Sequence, residues 1–176
     1  MAAIAARELA GAARSAPLCP DVLVLDAGAP LATVLRTGGG RCNLANATFD
    51  IRELSANYPR GGRFLLSAFS RFGAAETLEW FRSRGLALSV EESGRVFPSS
   101  GKAFDVRNLL ATEIRRAGVG MRQQTPVRRI VRLPGGFSVH FGGKVERCQA
   151  LILATGGNWR DNIGSGYELA RSRTQY

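Results

Sequence analysis

From residue 125 onward the apolar residues change their period, and that change constrains the fold more than any other feature of the chain. Before it the spacing is helical. Over 103–117, Ala103, Val106, Leu110 and Ile114 recur at intervals of three and four, which places them on one face of an amphipathic helix. Gly118 is a natural stop, since glycine readily takes the left-handed backbone found just past a helix end. Beyond it "TPVRRIVRL" (125–133), "FSVHF" (137–141) and "KVERC" (144–148) alternate with a period of two. Gly-Gly pairs at 135–136 and 142–143 separate them and favour tight hairpin turns. The segment is predicted to be a three-stranded antiparallel meander.

"ALILATGG" (150–157) follows, a continuous apolar run of the kind buried on both faces of a parallel sheet. An earlier strand is expected in "PDVLVLD" (20–26), before the turn-forming "AGAP". Helical patterns run over 2–14, 63–72 and 74–84, and "RGLALSVEESGRVFP" reads as an extended pair turned at Ser93-Gly94. Strands interleaved with helices, interrupted by a meander, predict an α/β fold with an inserted antiparallel layer and no second domain.

At 176 residues the chain is long enough for one domain with its own core. No apolar run reaches the roughly 20 residues that span a bilayer, so no membrane association is expected. The Ala- and Arg-rich opening lacks the apolar core of a secretory signal, and with Glu8 it reads as a folded helix. Cys19, Cys42 and Cys148 are scattered, without CxxC spacing, which points to a reducing, cytoplasmic setting and no metal site. The net charge of +10 comes from bases spread singly or in pairs, such as Arg115-Arg116 and Arg128-Arg129. It fits an arginine-rich solvated surface, or else nucleic acid, a membrane surface or an anionic cofactor as partner.

Three segments carry residues suited to binding. Asp26 ends a strand, where an acid can accept hydrogen bonds from ribose hydroxyls or serve merely as a turn residue. Gly38, Gly39 and Gly40 permit close backbone approach to a phosphate or a flat ring, and Arg41 and Asn43 add side-chain donors. A mobile surface turn explains the same glycines. Thr155, Gly156 and Gly157 end the apolar run at the carboxyl edge of a parallel sheet, where ligands bind in doubly wound folds; a plain strand exit is the alternative.

Together these segments resemble a known family. "GGGRCNLAN" (38–46), "YPRG" (58–61), "GRVFP" with "SGKAFDV" (94–106), "VRRI" (127–130), "LILATGG" (151–157) and "GSGYELA" (164–170) are similar to flavoproteins of the aminoacetone-oxidase-like and bile-acid-inducible type. That resemblance implies a glutathione-reductase-like, Rossmann-type FAD domain in an oxidoreductase with a small-molecule substrate and NAD(P)H as a candidate electron source. It implies that Asp26 binds ribose and that Gly38, Gly39, Gly40, Arg41, Cys42 and Asn43 lie against the flavin. Val127 would meet the adenine end through its backbone, and Thr155, Gly156 and Gly157 would pass near the pyrophosphate. Arg95 and Lys102 fall on the flavin or substrate side without a defined role, and no catalytic residue is assigned.

The family's opening strand and GxGxxG loop have no counterpart in this sequence, the bases usual before the triple glycine are replaced by "PLATVL", and "GSGYELA" is a contracted form of its motif. The expectation is an incomplete FAD-binding domain over 1–176, with weak or no FAD binding by the chain alone. His140 is expected on the solvent face of the meander, Cys42 as a packing residue, and Trp80 and Phe81 in a helix core. Asp105 and Glu113 are not read as a catalytic pair. The competing readings are a basic, non-enzymatic module for nucleic acid or another anionic partner, which lacks any recognised motif, and a degenerate gene product; no nucleic-acid partner is expected.

Overall fold

The computed structural model describes residues 22–155 and 169–170. The helix expected over 2–14, together with Gly156 and Gly157, lies outside the described residues. The chain divides into two compact units, Met1–Pro30 with Glu113–Tyr176, and Leu31–Thr112.

In the first unit, β1 (Leu23–Leu25) pairs in parallel with β5 (Gly120–Arg122), Val24 opposite Met121. The pairing continues past β1, where Asp26 N–H donates to Arg122 O at 3.0 Å. The meander forms as its periodicity predicts: β6 (Val127–Leu133), β7 (Gly136–Phe141) and β8 (Lys144–Cys148) lie in that order, all antiparallel. Its second turn is Gly142-Gly143, both at positive φ, between the paired Phe141 and Lys144. The first turn is Pro134-Gly135 rather than Gly135-Gly136, because Leu133 pairs with Gly136. A side chain at Gly136 would collide with the carbonyl of Cys148.

Alternation along the meander sends Ile130, Val139 and Phe141 to one face, where they form a core with Leu169. Leu25, Val127, Phe137, Cys148, Leu151 and Leu153 pack around them. Each such side chain fully removed from water stabilises by about 1.5–3 kcal/mol. An ion pair between Arg122 Nη1 and Glu146 Oε1, at 2.8 Å, joins β5 to β8.

One expectation fails here. Residues 151–155 form no strand, and Ile152 is 59% exposed. A strand buried on both faces needs partners along its edges, and among the described residues the parallel sheet has only β1 and β5. Leu151 and Leu153 instead point into the meander core.

The second unit carries α1 (Ala32–Arg36), β2 (Ala45–Asn46), α2 (Ile51–Ala56), α3 (Gly62–Phe69), α4 (Ala74–Arg82), β3 (Leu88–Val90) and β4 (Arg95–Pro98). The helix α5 (Ala103–Arg116) begins in this unit and ends in the first. Its expected face is the buried one: Ala103, Val106, Leu110 and Ile114 are all shielded. The extended pair is also present, with β4 between β2 and β3 and both pairings antiparallel.

Helix ends follow local chemistry. Asp50 Oδ1 accepts from the N–H groups of Arg52 and Glu53 at 2.9 and 2.8 Å, capping α2. At α4, Glu76 Oε2 accepts the Gly73 N–H at 2.8 Å, the carboxylate half of a capping box. Backbone hydrogen bonds to Glu76 itself and to Gly73 hold that carboxyl below its ordinary value. At the far end, Leu86 N–H donates to Phe81 O and Gly85 N–H to Arg82 O, a Schellman closure. Phe81 is buried as expected, while Trp80 is half-buried, with the Arg84 guanidinium 4.1 Å from its ring centre.

Candidate functional site

The triple glycine is a built loop rather than a loose one. Leu31, itself at φ +60°, starts α1, and the chain then turns tightly over Thr37–Gly40. Gly38, Gly39 and Gly40 all adopt left-handed backbone, at φ +56°, +65° and +85°. Three such residues in succession would cost any L-amino acid about 1–2 kcal/mol each, so glycine is the residue that fits. At Gly38 a Cβ would also lie 2.8 Å from the Asn43 nitrogen and 3.1 Å from the Phe97 ring. At Gly39 a Cβ would meet nothing within 4 Å. One glycine therefore lets the loop pack down on its own sheet, while the next leaves bare backbone facing open space.

The residues after the glycines fasten the loop to that sheet. Cys42 N–H donates to Thr37 O at 3.0 Å, and the Cys42 side chain is buried despite its φ of +60°. That agrees with a packing role for Cys42. Arg41 Nη1 lies 2.6 Å from Glu91 Oε1, and its guanidinium carbon sits 4.0 Å from the centre of the Phe97 ring on β4. With its amide oriented to satisfy both carbonyls, Asn43 donates to Ala45 O at 2.9 Å and Val96 O at 3.2 Å. Glu91 and Phe97 are the supports that sequence reasoning missed. Glu91 stands 50 residues from Arg41 and Phe97 lies further on, and no spacing rule connects them to the loop. Arg95 also faces Glu91, at 3.8 Å, and donates to Ser93 Oγ at 3.0 Å.

In the first unit, the structure brings Asp26 and the approach to Val127 together. Asp26 lies at the carboxyl end of β1, with Oδ1 accepting the Gly28 N–H at 2.9 Å. Thr125 N–H donates to Asp26 O at 2.8 Å, and Gln124 N–H to Gly28 O at 3.2 Å. Val127 starts β6 and pairs with Phe141, just before a bulge at Arg128. Since β6 is an edge strand of the meander, its outer backbone edge is not used by β7. Thr155 is exposed and belongs to no element. Lys102 is exposed too, its N–H donating to Ser100 Oγ at 3.2 Å beside Asp105.

Other candidates resolve simply. His140 is half-buried rather than fully solvated, because its Nε2 lies 3.2 Å from the buried Ser138 Oγ on the same meander face. Burial raises the thiol pKa of Cys148. Among the described residues no group of three or more His, Cys, Asp or Glu side chains could hold a metal, and no helix is long and apolar enough to cross a membrane.

Comparison with known proteins places this architecture. A family model described as HI0933-like protein Rossmann domain matches residues 4–175. The chain is 35% identical over 142 residues to the 3-dehydro-bile acid delta(4,6)-reductase of Clostridium scindens, covering 79% of this chain and 34% of that protein. It is 28% identical over 153 residues to the ribosomal RNA dihydrouridine synthase of Escherichia coli K12, covering 85% of this chain and 37% of that protein. The chain spans about a third of the length of these curated relatives. The observed mixture of parallel and antiparallel sheets agrees with the α/β, Rossmann-type expectation. The chain belongs to the HI0933-like Rossmann-domain family, a family of FAD-dependent oxidoreductases.

Proposed function

We propose that this chain supplies the FAD-binding part of an oxidoreductase that reduces a conjugated ring substrate. The observation that carries the reading is the Gly38–Asn43 loop, rigidly seated yet presenting bare left-handed backbone at Gly39. A flat ring can approach such a surface closely, and no side chain of the loop need move aside. Bound there, the flavin would supply two-electron transfer, while the protein supplies position and electrostatics.

The roles of the chain's residues follow. Gly38, Gly39 and Gly40 would form the floor of the flavin cradle, with Cys42 buried beneath it as packing. Arg41, clamped by Glu91 and Phe97, would hold a fixed positive charge at its edge. Asn43 would keep the loop's exit in place. Asp26 would accept from ribose hydroxyls through the oxygen that Gly28 leaves free, and Val127 would meet adenine through its backbone. Thr155, with Gly156 and Gly157, would approach the pyrophosphate. The sequence holds no GxGxxG loop, whose helix N-terminus usually cradles that group, so we expect FAD affinity to be weak in the chain alone.

The substrate class is suggested by what the relatives are named for. One is a delta(4,6)-reductase and the other makes dihydrouridine, and both names describe rings that gain hydrogen. NAD(P)H is the proposed electron source. A reducing, cytoplasmic setting fits Cys42 and Cys148, both free thiols.

FAD titration of the purified chain, followed by quenching of flavin fluorescence, tests the reading. Weak but saturable binding is expected, reduced further by Gly39→Val and by Asp26→Asn. Saturable binding that both variants leave untouched would overturn it.

A further inference from the structure

The second unit displays a surface that the flavin reading does not use. Residues 54–75 contain no Asp or Glu but carry Arg60, Arg63 and Arg71. These arginines are exposed, and no carboxylate among the described residues pairs with their side chains. Phe64 on α3 is 82% exposed, more than any other large apolar side chain among the described residues, and Phe72 is 46% exposed.

Helical spacing arranges them. Phe72 N–H donates to Ala68 O at 2.9 Å, so helical geometry persists just beyond the end of α3. Phe64, Ala68 and Phe72 then stand at i, i+4 and i+8, one row along the helix. Arg63, Ser67 and Arg71 form the neighbouring row at the same spacing, and Arg60 lies in the turn just before the helix. The outer face of α3 thus carries an aromatic row beside a basic row, with small exposed residues at the centre of each.

We propose that this face binds a single-stranded nucleic acid, with phosphates on the arginine row and bases stacked on Phe64 and Phe72. Stacking platforms beside a cationic track are the physical requirement for such binding, because every base has a flat face and every linkage a negative charge. A membrane surface fits less well. The inward side chains Leu65, Leu66 and Phe69 are already partly buried, which leaves one narrow aromatic row and no broad apolar face to insert. The proposal departs from the expectation of no nucleic-acid partner, which rested on the absence of any recognised motif and of a basic block in the sequence.

The test is fluorescence anisotropy of a labelled mixed-sequence RNA strand with the full chain, at graded salt. Matching DNA and duplex RNA serve as comparison arms. Wild type should bind the single strands, and the duplex more weakly, since its bases are not free to stack. Equal binding of RNA and DNA supports the shared chemistry, and preference for RNA supports it with an added ribose contact. Arg63→Ala with Arg71→Ala should weaken binding by at least about tenfold and lower the log–log salt slope by about 1.4. Phe64→Ala should weaken it about tenfold, Phe64→Trp should restore it, and Phe64→Leu should not. Lys144→Ala with Arg147→Ala removes equal charge from the other unit and should leave affinity unchanged. All these side chains are exposed, so the variants should melt with wild type.

Several results would overturn the proposal. They are wild-type affinity in the Arg63/Arg71 or Phe64→Ala variants, an equal loss in the Lys144/Arg147 control, or rescue by leucine. Phe64-dependent binding to anionic vesicles in place of RNA, or Phe64-dependent self-association on sedimentation, would do so as well. The flavin titration uses different residues, so either proposal can fail without the other.

Discussion

Arg41 and Glu91 stand 50 residues apart in the chain, and their side chains meet at 2.6 Å. The contact joins the end of the glycine turn to the β3–β4 connection, where Gly94 N–H closes a turn on Glu91 O at 2.8 Å. Phe97 lies under the same guanidinium, so Arg41 is held by charge on one side and by a ring face on the other. The clamp fixes where a positive charge stands beside the left-handed glycines.

Both side chains of this pair are more than a third exposed, so the clamp should position more than it stabilises. Glu91→Gln is expected to cost no more than about 1 kcal/mol in urea unfolding. Arg41→Ala loses the ring contact too and should cost about 1 kcal/mol further. A much larger loss for Glu91→Gln would show that the pair supports the fold itself.

Adjacent glycines should respond differently to the same substitution. Gly38→Ala combines left-handed backbone with a collision against Asn43 and Phe97, and should destabilise by about 3 kcal/mol. Gly39→Ala meets only the backbone cost, about 1 kcal/mol. Thermal melts of the two variants check this ranking, and equal losses would count against a loop packed as described.

Glu76 makes the stability depend on pH. Its folded pKa is depressed, chiefly by its own backbone N–H and then by that of Gly73, so it favours the folded state when ionised. That contribution is fully present above the ordinary carboxyl value of 4.5 and is lost as pH falls through the lower folded value. Unfolding midpoints of wild type and Glu76→Gln, measured across this range, should converge as the solution is acidified. A constant gap at all pH values would contradict the capping role.

Burial separates two isoleucines that the sequence treats alike. Ile130 is 1% exposed in the meander core, and Ile130→Ala should cost about 2–5 kcal/mol. Ile152, at 59% exposure, should tolerate alanine within about 0.5 kcal/mol. Denaturant titrations of both variants test whether 151–155 lies outside any sheet.

What the sequence determined alone is local. The period-two alternation of 125–148 and its glycine turns specify the meander, because one face of each strand must be apolar wherever pairing buries it. The three-and-four spacing of Ala103, Val106, Leu110 and Ile114 specifies the buried face of α5 for the same reason. The glycine loop was visible as a string, and its match to a family was specific. The short α2 also had a legible signal that the pattern reading passed over, an Asp cap at 50 with Glu53 three residues on. Tertiary structure decided everything that depends on residues distant in the chain. It decided that Gly38 faces a ring and Gly39 faces open space, that Arg41 meets Glu91, and that the apolar run at 151–153 packs as side chains rather than pairing as a strand. A continuous apolar run says only that burial is favourable; the neighbours that are present decide whether a sheet edge or a core supplies it.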